Sequence, residues 1–287
     1  MTHEFFSDVS DGVWTLQAME EDDDVLAEMD AVFERGDTDK VVAVHVDSWP
    51  EMYEESSAAI VEKLVANAHL LPGLRGLSLG HVDPEWCEIS WIQLSDLTPL
   101  LTAFPGLERL DLRGGDGLAL TPLRHESLRV LRVECGGLHS SFVRSLAACD
   151  LPALEHLELW LGVERYGGNT SVADLAPILA GDRLPALRHL GLQDSEIQDE
   201  IAAAVASAPV VARLDELDLS MGTLTDAGAE ALLDGQPLSH LMVLDLHHNF
   251  LSDAMAERVE KALPGVDVKL HNRLAPRDDR FYVAVSE

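Results

Sequence analysis

The chain has 287 residues, 47% hydrophobic and 25% charged, enough for a substantial buried core and ordinary for a soluble protein. Twenty Lys and Arg against 51 Asp and Glu give a formal net charge of −31, which argues against a nucleic-acid partner and against a membrane-surface role, because such a surface repels phosphate and anionic lipid. No apolar run approaches the ~18 residues of a membrane span, residues 1–10 lack the pattern of a secretion signal, and Cys87, Cys135 and Cys149 are odd in number and far apart. A reduced, cytoplasmic setting with small buried thiols is expected.

Taken in chain order, residues 1–40 are read as an N-terminal cap. Within it, 13–18 is a candidate edge strand, and Val25, Leu26, Met29, Val32 and Phe33 make an apolar stripe at helical spacing. A repeat follows over residues 41–270. Leu241, Leu244, Leu246, Asn249 and Leu251 fit the leucine-rich-repeat pattern L-x-x-L-x-L-x-x-N-x-L without mismatch. The frame recurs nine times, opening at 41, 74, 107, 128, 154, 187, 214, 241 and 263, with steps of 21 to 33 residues.

Residues two apart on a strand share a face, so each frame predicts a short strand whose paired leucines turn inward. Helices are predicted after most strands: 96–104 after Ser95, 171–179, 199–207, 226–232 capped by Thr225, and 253–263 capped by Ser252. Leu-Pro and Phe-Pro pairs such as Phe104-Pro105 and Leu184-Pro185 then return the chain to the sheet. A single unit cannot bury its apolar face and stacked units can. The expected fold is therefore an α/β leucine-rich-repeat solenoid, a curved arc with a parallel β-sheet on the concave face and helices on the convex face. The longer repeats suit the ribonuclease-inhibitor-like subclass. Residues 271–287 are read as a C-terminal cap or tail, with a short strand at 281–285.

Several segments carry a closer likeness: Glu88-Ile89-Ser90-Trp91-Ile92, Trp160-Leu161-Gly162 with Tyr166-Gly167-Gly168, Gly191-Leu192-Gln193-Asp194-Ser195, Asp218-Leu219-Ser220 with Gly222-Thr223-Leu224, and the ending Phe281-Tyr282-Val283-Ala284-Val285. Together they resemble a family of uncharacterised bacterial cytosolic leucine-rich-repeat proteins. That resemblance implies the fold and a cytosolic setting, and brings no catalytic residues.

The strand frame also predicts what lines the concave face. A middle row runs His45, Ser78, Asp111, Arg132, Glu158, Gly191, Asp218, Asp245, Asp267; the row after it includes Arg113, Glu134, Trp160, Gln193, His247 and Lys269; the row before it holds Arg109, His156, His189 and Glu216. Arg109, Arg113 and Arg132 form a basic cluster in an acidic chain, and Arg and Trp are the residue types enriched at binding hot spots. The candidate protein-binding residues are Arg109, Arg113, Arg132, Trp160, Glu158, Asp218, Asp245 and His247. The competing account has the arginines neutralising carboxylates across strands and Trp160 packed under residues 163–169.

His247 and His248, with His189 and Asp245 nearby in the sheet, are the candidate metal ligands, but adjacent residues on a strand point apart and no zinc-type spacing is present, so no metal is expected. Neither a nucleophile elbow nor a Walker lysine is found, so no catalytic residues and no cofactors are expected. An open sheet is also expected to desolvate its carboxylates too little to shift their pKa values. The chain is therefore read as a non-catalytic protein-binding module, with an inhibitor- or immunity-type protein or a non-catalytic subunit of an enzyme complex as alternatives. The excess acid suits a basic protein partner, and equally serves solubility.

Overall fold

The computed structural model describes residues 12–17, 24–36, 38–278 and 280–287. One ten-stranded sheet, in sequence order throughout, organises them. Its strands are β1 (Val13–Leu16), β2 (Ala43–Val46), β3 (Gly76–Leu79), β4 (Arg109–Arg113), β5 (Val130–Glu134), β6 (His156–Gly162), β7 (His189–Ser195), β8 (Glu216–Asp218), β9 (Val243–Asp245) and β10 (Asp267–Lys269). All neighbours pair in parallel. Parallel strands need a crossover between them. Among the described residues these carry α1 (Val25–Arg35), α2 (Ala58–Ala66), α3 (Thr98–Ala103), α4 (Ser140–Ala148), α5 (Val172–Ala180), α6 (Gln198–Val205), α7 (Asp226–Asp234) and α8 (Asp253–Ala262).

Register follows the leucine frame. Val44, Leu77, Leu110, Leu131, Leu157, Leu190, Leu217, Leu244 and Val268 stand opposite one another along the sheet. They join one continuous apolar core that runs from Leu16 to Leu270. The candidate edge strand at the N-terminus is the first strand of this same sheet, and Val25, Met29 and Phe33 of α1 are buried in the same core. Ala18 lies outside the described residues.

Caps fall where the hydroxyls predict them at two helices: Ser252 accepts the Met255 N–H at 3.1 Å, and Thr225 accepts the Ala227 N–H at 3.2 Å. At α5, Asp174 reaches back to the Ser171 N–H at 2.9 Å, the reciprocal half of a capping box. The frame asparagine has a structural task. Buried Asn249 donates to the carbonyls of Leu219 (2.9 Å) and Leu246 (3.3 Å) and accepts the Leu224 N–H at 3.1 Å, tying one turn to the next.

Three expectations need correction. The third helix begins at Thr98 rather than 96, because the Ser95 hydroxyl is drawn to Ser57 at 2.9 Å instead of capping. In the last repeat the frame is displaced by two residues. Leu263 ends α8, and Val268 and Leu270 form the inward pair, so Lys269 rather than Asp267 continues the middle row beside Asp245. Finally, 281–285 is not a strand.

The segment is instead an extended strap that runs back over several repeats. Phe281 and Tyr282 meet Phe250 edge-on, Ala284 N–H donates to Met221 O at 2.8 Å, Val285 N–H donates to Asp194 Oδ1 at 2.9 Å, and Glu287 accepts the Tyr166 hydroxyl. Asp194 is completely buried with a left-handed φ of 54°, and its other carboxylate oxygen has no partner. Burial pushes its carboxyl up to about 8.

The unfolded chain releases this proton near its ordinary pKa of about 4, whereas the folded chain holds it until about 8. Between those values the folded state binds more protons, so rising pH withdraws stability. Asp194→Asn should therefore gain on the parent in urea midpoints as pH rises from about 5 to 8. A gap that stays constant across that range contradicts the buried, protonated carboxyl.

Candidate functional site

Side chains from the strand positions between and beside the inner pairs meet on the concave face. Each candidate arginine is paired with a carboxylate there. Arg109 holds Asp111 with two bonds of 2.5 and 3.0 Å, and Arg113 reaches Glu134 at 3.2 Å. Arg132 grips Glu158 with two bonds of 2.8 and 2.7 Å, reaches Glu134 at 2.9 Å, and stands 3.8 Å from Asp111. Register explains the convergence: Asp111, Arg132 and Glu158 are directly opposite on β4, β5 and β6, so opposite charges alternate across three strands.

This network is far drier than an open sheet suggests. Asp111 is 2% exposed, Glu134 5%, Arg132 7% and Glu158 8%. The expectation of unshifted carboxylates is overturned by this burial. Burial pushes Asp111 and Glu134 up despite their arginine partners. Burial also opposes the charge on Glu158, but hydrogen bonds from His156 and Arg132 outweigh it and hold that carboxyl well below its usual range.

Toward the C-terminal end the face turns acidic. Asp218 and Asp245 are opposite one another on β8 and β9. Each accepts the backbone N–H two residues on, Ser220 at 2.9 Å and His247 at 3.0 Å, which closes the strand with the same device in successive repeats. Burial, then the charge of Asp245, raises the pKa of Asp218. Asp245 is held down against burial by His247, whose imidazole lies 2.7 Å away, and by Lys269 at 3.4 Å. His247 stacks on His271 at 4.6 Å, while His248 lies beyond the strand with φ 54°.

Trp160 stands opposite Gln193 on this surface, half-buried, and its indole N–H has no acceptor. Of the candidate residues, the structure joins Arg109, Arg113, Arg132 and Glu158 in one network and Asp218, Asp245 and His247 in another. Exposed aromatics were not among the sequence candidates. Tyr53, Trp86 and Trp91 are 50%, 62% and 54% exposed on the connections after β2 and β3. The signal for them is that three of the five tryptophans fall within residues 49–91. The three cysteines are buried and unpaired, and burial pushes the Cys135 thiol up to about 12, which makes it a poor nucleophile.

A protein of Bacteroides fragilis, known from its crystal structure, is similar to this chain with a TM-score of 0.83 and 29% identity over 95% of this chain and 76% of that one. The fold is a leucine-rich-repeat solenoid. An internalin of Listeria monocytogenes aligns over 83% of this chain and 62% of its own, with 14% identity and a TM-score of 0.35, too distant to add to that assignment. No family model matches the chain, and no curated protein does. No helix among the described residues is long and apolar enough to cross a membrane.

Removing Arg132 leaves three buried carboxylates without their central cation. Arg132→Ala should cost ~3–5 kcal/mol of stability. Arg129, on the same segment but paired with Glu155 in solvent at 2.8 Å, should cost no more than ~1 kcal/mol as Arg129→Ala. Equal losses in urea denaturation would mean that the concave network is no tighter than a surface ion pair.

Proposed function

We propose that the protein is a non-catalytic binding module that recognises a basic protein partner in the cytoplasm through its concave face. The observation that carries this reading is the like-charged pair Asp218–Asp245. Like charges directly opposite on neighbouring strands destabilise a sheet; here His247 at 2.7 Å and Lys269 at 3.4 Å both approach Asp245, whereas Asp218 accepts from the neutral Gln193 amide, so the cationic partners gather on one member of the pair. A lysine or arginine from a partner would relieve that repulsion, and the −31 net charge would speed encounter with it.

The face divides into two kinds of contact. Arg109, Arg113 and Trp160 keep partial access and serve as contact groups beside the acid pair, whereas Arg132 and Glu158 hold the surface rigid. Tyr53, Trp86 and Trp91 offer further hot-spot side chains on the adjoining connections. Within this reading, an inhibitor or immunity-type protein, or a recognition subunit of an enzyme complex, uses the same face. Repeat steps of 26 to 33 residues, most carrying a full helix, favour the ribonuclease-inhibitor-like subclass.

The test captures partners from native cytosol on the immobilised chain and measures the binding of each on purified variants. Trp160→Ala should weaken a true partner by ~2 kcal/mol or more. Asp218→Lys with Asp245→Lys should slow association, most at low salt. A captured protein that binds all these variants like the parent, each variant melting like the parent, contradicts the concave-face reading.

A further inference from the structure

We propose that His156, Glu158 and His189 form a binding site for one divalent transition-metal ion on the concave face. This goes beyond the partner-binding reading and does not depend on it. His156 and His189 are opposite on β6 and β7, which brings their ring centroids within 3.8 Å; the planes are 6° from parallel, so one ring turns about its side-chain bonds to aim its lone pair at a shared ion. Glu158 lies two residues beyond His156, on the same face of the same strand. One ligand atom from each of the three lies within 4.8 Å of the other two.

The second observation is the state of His189. Its Nδ1 stands 2.9 Å from Glu216 Oε2. An ionised carboxylate only accepts, so Nδ1 is the donor and in the neutral ring Nε2 carries the lone pair. That Nε2 is buried and has no hydrogen-bond partner. A carboxylate that fixes the far nitrogen of an imidazole and leaves the near one bare is the usual support of a metal-ligating histidine.

The remaining groups agree with a cation. His156 Nε2 lies 3.2 Å from Glu158 Oε2, and the proton that this contact shares is the one a bound metal would displace. Glu158 Oε2 is met by both Arg132 and His156, whereas Oε1 is met by Arg132 alone, so one lone pair of Oε1 stays open to a cation. Around the cluster, the guanidiniums of Arg109, Arg113 and Arg132 face the carboxylates of Asp111, Glu134 and Glu158, while Glu216 is met by His189 and Asp218 by the Gln193 amide, so five carboxylates stand against three guanidiniums. Two imidazoles and one carboxylate suit zinc with an open position, or iron(II) and manganese(II) in the same class. Spacing motifs miss the set because His189 stands 33 residues from His156 and meets it only through register.

The experiment strips the full chain with chelator and titrates zinc chloride by calorimetry, with elemental analysis after dialysis. One zinc per chain is expected, together with a rise in melting temperature. Glu216→Gln, which touches no metal, should weaken binding by roughly 10–100-fold, His156→Ala with His189→Ala should abolish it, and His247→Ala should leave it unchanged. The parent protein provides a readout independent of variant folding: zinc should move the ring resonances of His156 and His189 in NMR spectra, and leave those of His247 and His271 in place. Absence of saturable uptake, uptake that survives the double variant, or resonance shifts confined to other histidines would overturn the site.

Discussion

Everything in this molecule depends on parallel strands stacking with their inward leucine pairs level. A strand of three to seven residues buries little by itself. Placed in register with its neighbours, it adds two side chains to a core that each repeat shares with the next, and it passes its alignment along. The alternation that sends leucines inward also fixes the intervening residues on the other face. The concave surface is thus built by the core, and a functional residue cannot leave its row without taking the leucines with it.

That coupling explains why charged groups can be buried here. Asp111, Arg132 and Glu158 are held opposite one another by hydrogen-bonded strands, so their backbones need no further ordering when the side chains pair. Isolated, each charge would be costly to desolvate; in alternation across three strands, each is neutralised by its neighbours. The sheet becomes rigid and nearly dry in its middle and stays acidic toward β8 and β9, where Asp218 faces Asp245.

Much of this was legible in the sequence, because the leucine period is a direct imprint of the sheet. Eight of the inward pairs stand where the frame puts them, and the rows containing Asp111, Arg132, Glu158, His156 and His189 follow at once. The frame failed at its end. Leu263 resembles the opening leucine of a repeat but terminates α8, so Lys269 moves into the middle row and Asp267 into the row before it. The strap at 281–287 was invisible because its bonds run to Asp194, Met221 and Tyr166, far away in sequence, with no period to announce them. Periodicity assigns a face; it does not say how deeply the charged groups on that face are buried among one another, and this hid the pKa shifts and the engagement of Arg132.

The central claim is the register, and one comparison tests it most directly. Leu190 is fully buried in the core, whereas a side chain at Gly191 would meet Glu158 and Gln193 on the concave side. In urea denaturation of the two single variants, Leu190→Ala should lose ~2–5 kcal/mol, and Gly191→Ala should lose much less. The reverse order would place Leu190 on the concave surface and exchange the two faces of the sheet.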